Sequence, residues 1–175
     1  NPDCEGLILI AGRMQNGKTT TASAIMRHRL EMVGGIGVSV EDPPETLLDG
    51  LHGLGRCIQI QASRFDGGYK EALIKSLRAG ANTILIGEIR DSETAKEVVR
   101  ASINGHLIIS TIHAGSITDA IDKYRTLCDT YHLPSLAEGL NLIIYQKLSS
   151  ETHHGSVTRH LNASCFVVPE QAKSK

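Results

Sequence analysis

The sequence predicts an α/β fold with a mostly parallel sheet flanked by helices, plus a short C-terminal β hairpin. Three observations predict it. Short apolar runs alternate with longer segments of helical period. The 175 residues are 41% hydrophobic, enough for one buried core. After Gln146 the pattern changes to two arms around His153-His154-Gly155, as in a hairpin.

The expected strands are Leu7 to Ala11, Ile36 to Glu41, Arg56 to Gln61, Thr83 to Gly87 and Leu107 to Ile112. Between them, Lys18 to Met32 reads as a helix ended by Gly34-Gly35, Gly68 to Ala79 as a second and Ser92 to Asn104 as a third. Ser116 to Tyr131 and Pro134 to Tyr145 extend the helical layer. Glu41 to Gly55, rich in Pro and Gly, is the long irregular connection. Lys147 to Ser150 and Ser156 to Val168 are the hairpin arms, and Pro169 to Lys175 reads as frayed. Residues 1–148 are expected to form the core, and 149–175 a hairpin and tail of the same domain. The first strand starts close to the N-terminus, so the chain is expected to be a fragment of something longer.

Composition narrows the partners. Lys and Arg (18) nearly balance Asp and Glu (19), so no overall positive field draws the chain to nucleic acid or an anionic membrane. Cys4, Cys57, Cys128 and Cys165 form no CxxC pair, and neither a zinc knuckle nor a disulfide framework is suggested. No apolar run reaches the ~20 residues of a membrane span, and no signal pattern opens the chain. A cytoplasmic protein with reduced thiols is expected.

Chemistry enters with Gly12-Arg13-Met14-Gln15-Asn16-Gly17-Lys18-Thr19, which fits GxxxxGK[ST] between an apolar strand and a helix. Such a loop wraps phosphate oxygens with consecutive backbone N–H groups and the helix N-terminus. Lys18 would reach the β and γ phosphates of ATP and Thr19 a Mg²⁺ ion, with Thr20 following in the first helical turn.

Three further segments carry polar residues at strand ends. In Thr83 to Asp91, Glu88 stands just past a buried strand, a place that suits a magnesium-linked acid or a helix cap. In Val38 to Glu45, three acids meet Pro43-Pro44, which suits water activation or an exposed acidic turn. In Asn104 to Ala114, His106 and His113 bracket a strand seven residues apart, on opposite faces, so they do not share a metal.

Together these four segments, in this order, resemble the type II secretion and type IV pilus ATPases, the hexameric traffic motors. That family follows its Walker A loop with an Asp box similar to Ile-Thr-Ile-Glu-Asp-Pro-Ile-Glu. A Walker B ending Gly-Glu-(Ile/Met)-Arg-Asp comes next, then a His box similar to Gly-His-Leu…Thr-Leu-His. Gln146-Lys147-Leu148 resembles the family's Gln-Arg-Leu, and the likeness spans roughly Gly6 to Leu148.

The resemblance implies a RecA-like P-loop NTPase core using ATP and Mg²⁺. It makes Lys18 the phosphate-binding lysine, Thr19 and Glu88 the magnesium-linked pair and Glu41 the water-activating group. Glu45 matches the second Asp-box glutamate, and His106 and His113 would sense the γ phosphate or couple it to subunit motion. It further implies a homo-hexameric ring on the cytoplasmic face of a bacterial inner membrane, working with a platform protein to extend or retract a pilus or drive secretion. A PAS-like N-terminal domain precedes the core in that family and supplies arginines to the neighbouring nucleotide, so weak hydrolysis is expected from this chain alone.

Departures mark a divergent branch, with plasmid- or conjugation-associated pilus systems as candidates. The family loop reads Gly-Pro-Thr-Gly-Ser-Gly-Lys, whereas Arg13, Met14, Gln15 and Asn16 are bulkier and one loop glycine is replaced. Alternatives are a type IV secretion or conjugative-transfer ATPase, a P-loop kinase, and a nucleotide-gated scaffold without turnover. Asp42-Pro43 and His106-Leu107 favour the pilus side over the first of these.

Overall fold

Leu7, Leu9 and Ala11 of the first strand, β1 (Gly6–Gly12), point to one face of the sheet and Ile10 to the other. This two-sided burial is what a near-continuous apolar strand requires of a parallel sheet, whose two faces must both be covered by helices. The computed structural model describes residues 4–129, 131, 133–153 and 156–169.

Around β1 run β2 (Gly35–Glu41), β4 (Gly55–Gln61), β5 (Thr83–Ile86), β6 (Leu107–His113) and β7 (Leu140–His153), all parallel to their neighbours among these strands. The short β3 (Gly50–His52) and the long β8 (Ser156–Val167) pair antiparallel at the two edges. The order is β3-β4-β2-β5-β6-β1-β7-β8.

One face is covered by α1 (Lys18–Val33), whose Ala22, Met26 and Leu30 pack with Ile10, Leu85 and Ile109. The other face holds α2 (Gly68–Arg78), α3 (Ser92–Ser102), α4 (Ile117–Leu127) and α5 (Leu133–Gly139), which supply Leu73, Val98, Tyr124 and Leu136 to a second core with Leu7 and Leu9. Two of these helices start on side-chain caps. Asp91 Oδ1 accepts the Thr94 amide at 2.8 Å, and Ser116 Oγ accepts the Asp119 amide at 3.0 Å.

The fold is the expected α/β class, and the structure corrects several details. Pro134 to Tyr145 is not one helix: α5 ends at Gly139 and Leu140 begins β7. The apolar run Leu142-Ile143-Ile144, with its two β-branched isoleucines, can satisfy its backbone against β1, where Ile8 pairs Leu142 and Ile10 pairs Ile144. Its pairing with a buried central strand outweighs its helical period. The hairpin is also not short, because β7 passes through Leu148 unbroken and pairs with β8 from Leu142 to His153.

The fourth helix stops at Leu127 rather than Tyr131, and β3 lies inside the connection expected to be irregular. The turn residues His154-Gly155 and the tail beyond Pro169 lie outside the described residues. No helix is long and apolar enough to cross a membrane among the described residues.

All four cysteines are free thiols; Cys57 and Cys128 are buried, Cys4 and Cys165 exposed. Burial raises the Cys57 thiol to about 11 and the Cys128 thiol to about 12. Both folded values exceed the ordinary one, so the folded chain keeps protons that the unfolded chain releases. The stability these thiols contribute is intact below pH 9 and erodes as pH rises through 11 to 12. Iodoacetamide at pH 8 is therefore expected to label Cys4 and Cys165 readily and the other two only after denaturation, as read by intact mass. Rapid labelling of all four in the folded chain would contradict this core.

Candidate functional site

At the carboxyl end of β1 the chain turns through residues 12–17 and enters α1. Gly12 is fixed by close approach: a Cβ there would stand 2.7 Å from the Gln146 carbonyl oxygen. Gly17 caps α1 in the left-handed region (φ 75°), and no side chain caps that helix. Its first-turn N–H groups are thus left for an external acceptor, as an anion-binding helix start requires.

The loop is tied to β7. Gln146 Nε2 donates to the Asn16 carbonyl at 2.6 Å, and the Leu148 amide donates to Asn16 Oδ1 at 3.1 Å. Lys18 Nζ donates to the Arg13 carbonyl at 2.9 Å. Burial holds the Lys18 ammonium below its ordinary pKa, while Glu88 and Glu45 pull it back up. A polyphosphate arriving there would supply the countercharge that burial withholds.

Gln15 occupies the left-handed region at φ 60°, the one non-glycine residue with positive φ among the described residues. It stands where the resembled loops have their second glycine, so the replacement keeps the backbone path and carries the steric cost of a Cβ in that region.

A cavity of about 520 Å³ opens beside this loop, a size that suits a nucleotide. Met14, Gln15, Asn16, Gly17, Lys18, Thr19 and Thr20 line it from the loop and α1, and Glu41, Glu45 and Glu88 from the strand ends. Parallel strands place these residues together because their carboxyl ends share one edge.

Glu41 is 2% exposed. Ser39 Oγ donates to its Oε1 at 2.5 Å and Gln59 Nε2 at 3.1 Å, while Oε2 is buried with no partner. Ser39 shares the strand face of Glu41 two residues away, and Gln59 is the register partner of Ser39 on β4. A buried acceptor without a donor, in the wall of a polar cleft, fits an ordered water or a hydrated cation.

Glu88 is held by Arg90, whose Nε donates to Oε2 at 2.7 Å. Asp91 of the same segment serves as the α3 cap. Among the described residues no group of three or more His, Cys, Asp or Glu side chains could hold a metal ion. Mg²⁺ takes one or two protein oxygens and completes its shell with water and substrate phosphates, so it does not require such a group. Thr19 and Glu88 both line the cavity and would supply such oxygens.

The remaining expected residues separate. Gly12 packs against Gln146, and Arg13 lies toward Gly115, so neither lines the cavity. His113 is exposed and lines an adjoining cavity that shares Glu88 and Arg90. His106 is a correction: it precedes β6, at the opposite end of the sheet, and lines a separate cleft between α2 and α3 with Arg78 and Glu97. Seven residues of extended β6 span about 23 Å, which keeps His106 from the phosphate cleft of its own chain.

Leu148 of the quoted Gln146-Lys147-Leu148 also lines the main cavity, as do Tyr69, Arg90 and Arg159, which are not among the expected site residues. Arg90 sat in the quoted Gly-Glu-Ile-Arg-Asp segment and carried a signal. Tyr69 and Arg159 carried none, since only the tertiary fold brings α2 and β8 there. Burial raises the Tyr69 hydroxyl, an effect Arg90 opposes.

Residues 3–171 match the family model for type II/IV secretion system proteins. The chain belongs to this family. It is 37% identical over 145 residues to the putative type II secretion system protein E of Escherichia coli (strain K12), covering 82% of this chain and 27% of that protein. It is 30% identical over 161 residues to the type IV pilus retractation ATPase PilT of Pseudomonas aeruginosa, covering 89% of this chain and 46% of that one.

Among solved structures, the pilus retraction motor PilT with bound ADP superposes with a TM-score of 0.82 at 26% identity, over 97% of this chain and 50% of that chain. The chain thus spans less than half the length of these two sequence relatives and carries the RecA-like α/β core of the family.

The strained loop position gives a direct test. Gln15→Gly is expected to raise stability in urea by up to about 1 kcal/mol, and Gln15→Val to lower it. A loss of stability in Gln15→Gly would contradict the backbone conformation at this position.

Proposed function

We propose that this chain is the ATP-hydrolysing core of a motor of the type IV pilus or type II secretion kind. The observation that carries the reading is Glu41, a buried carboxylate whose free oxygen shares one cleft with Lys18 and the uncapped start of α1.

In this reading the loop amides and Lys18 hold the β and γ phosphates. Thr19 and Glu88 would hold Mg²⁺, which would supply charge neutralisation for the transferring phosphoryl group. Glu41 orients a water and takes its proton as the water oxygen bonds to the γ phosphorus. The bond to the β–γ bridging oxygen breaks, and ADP and phosphate leave. The Ser39 and Gln59 bonds fix the Glu41 carboxylate so that its second oxygen faces the water.

Arg90 positions Glu88, and His113, on the adjoining surface, is placed to report the state of the Glu88–Arg90 pair to a neighbouring subunit. The working form is a homo-hexameric ring acting on an inner-membrane platform protein. These assignments draw on the family's order of boxes and on PilT and protein E being named for pilus retraction and secretion.

Phosphate release under single-turnover conditions with Mg-ATP tests the assignment. Lys18→Ala is expected to abolish nucleotide binding, and Glu41→Gln to bind nucleotide as wild type while slowing hydrolysis by roughly 10²- to 10⁴-fold. Wild-type rates in Glu41→Gln would remove Glu41 from the chemistry. Binding without turnover in the wild type, even in the assembled ring, would support a nucleotide-gated scaffold instead.

A further inference from the structure

Glu41 and Glu45 both line the phosphate cleft, one on each side of Pro43-Pro44. Beyond Glu45 the chain turns back over the α1 side of the sheet. There Leu48 is fully buried in the core that holds Cys57 of β4 and Met26 and Leu30 of α1.

One side chain, Gln59 of β4, bonds both to this returning connection and to Glu41. Its Nε2 donates to Glu41 Oε1 at 3.1 Å and to the Thr46 carbonyl at 2.7 Å, and its Oε1 accepts the Leu48 amide at 3.2 Å. A carboxamide offers two N–H groups and one carbonyl, so both donors are used and the acceptor is engaged. The flipped orientation would set its oxygen against two acceptors. The Gln59 backbone amide adds a fourth bond, to Asp49 Oδ1 at 3.1 Å. The connection is braced from other elements as well, since Arg27 of α1 donates to the Leu47 carbonyl at 3.2 Å and His52 Nε2 lies 2.6 Å from the Leu48 carbonyl oxygen.

Ser39 Oγ also donates to Glu41 Oε1, but a hydroxyl rotates and can follow a carboxylate that turns. The planar carboxamide cannot follow, because its second N–H and its oxygen are held by the backbone of residues 46–48. A fixed second donor is what gives the free Oε2 of Glu41 one direction rather than several.

We propose that Gln59 is a positioning residue that makes the aim of Glu41 depend on the 46–48 connection. With Thr46 and Leu48 seated, the carboxamide is immobile and the Glu41 carboxylate with it; with the connection displaced, Glu41 keeps only the Ser39 bond. The same bracket holds the backbone next to Glu45, so one carboxamide sets the spacing of the two acids. The proposal rests on Glu41 being the water-activating group, and its test keeps the two apart.

The experiment measures Mg-ATP affinity and single-turnover hydrolysis for Gln59→Leu, Gln59→Glu, Asp49→Ala and Glu41→Gln, and for Gln59→Leu combined with each of the last two. Gln59→Glu keeps the size of the side chain and an acceptor for the Leu48 amide but loses both donors, so it serves if Gln59→Leu does not fold. Both Gln59 variants are expected to bind Mg-ATP as wild type and to hydrolyse it roughly 10- to 100-fold more slowly. Asp49→Ala, which loosens the exposed start of β3 from β4 without touching Glu41, is expected to slow hydrolysis severalfold, and to have no effect once Gln59 is Leu. In the Glu41→Gln background Gln59→Leu is expected to cost nothing further, because a residue that acts through a carboxylate has nothing to act on without it. Wild-type rates in the Gln59 variants, an equal loss of affinity and rate, or full additivity with Glu41→Gln would each overturn the positioning role. A wild-type rate in Asp49→Ala would overturn its dependence on the connection. Wild-type hydrolysis by Glu41→Gln would remove the reading of Glu41 itself, whatever the Gln59 variants do.

Discussion

Asn16 accepts the Leu148 amide through its side chain and the Gln146 amide nitrogen through its carbonyl, and these two bonds tie the loop after β1 to the strand beside it. A loop whose purpose is to present unpaired N–H groups has little to hold it in place by itself. Here the neighbouring parallel strand does so, and Gly12 permits it, since any Cβ would meet the Gln146 carbonyl. Hydrogen bonds of this kind contribute only about 1 kcal/mol each, but they decide whether the loop is formed before ligand arrives. The left-handed Gln15 is tolerated because the surrounding bonds over-determine the backbone.

The charges of the cleft are kept apart by specific partners. Lys18 rests on the Arg13 carbonyl, Glu88 on Arg90, and Glu41 on Ser39 and Gln59. Each acid so keeps a defined direction, and the lysine is left able to exchange a weak carbonyl contact for phosphate oxygens. Oε2 of Glu41 is the exception to full satisfaction, and buried unsatisfied acceptors are costly enough that they tend to persist where function uses them.

Much of this was legible in the chain. The alternation of apolar runs and helical segments located β1, β2, β4, β5 and β6 to within a residue or so, and the glycine-lysine-threonine loop named its own context. Glu41 was legible through its place at the end of a buried strand followed by Pro43-Pro44. What escaped was long-range. Leu140 to Tyr145 has a helical period but meets β1 in the folded chain, so its partner decided its conformation. His106 belongs to the quoted box yet sits at the far end of β6, because a strand carries its two ends away from each other. Tyr69 and Arg159 reach the cleft from elements whose sequence says nothing of their neighbours.

The measurement that bears most directly on this account is a crystal structure with a non-hydrolysable ATP analogue and Mg²⁺. The account predicts the triphosphate within residues 12–19, a Mg²⁺ ion shared with Thr19 and reached by Glu88 directly or through water, and a water bonded to Glu41 Oε2 in line with the γ phosphorus. The Asn16 bonds to β7 should be retained. A nucleotide bound elsewhere, or a loop that abandons β7 while Glu41 Oε2 stays without a water, would contradict it.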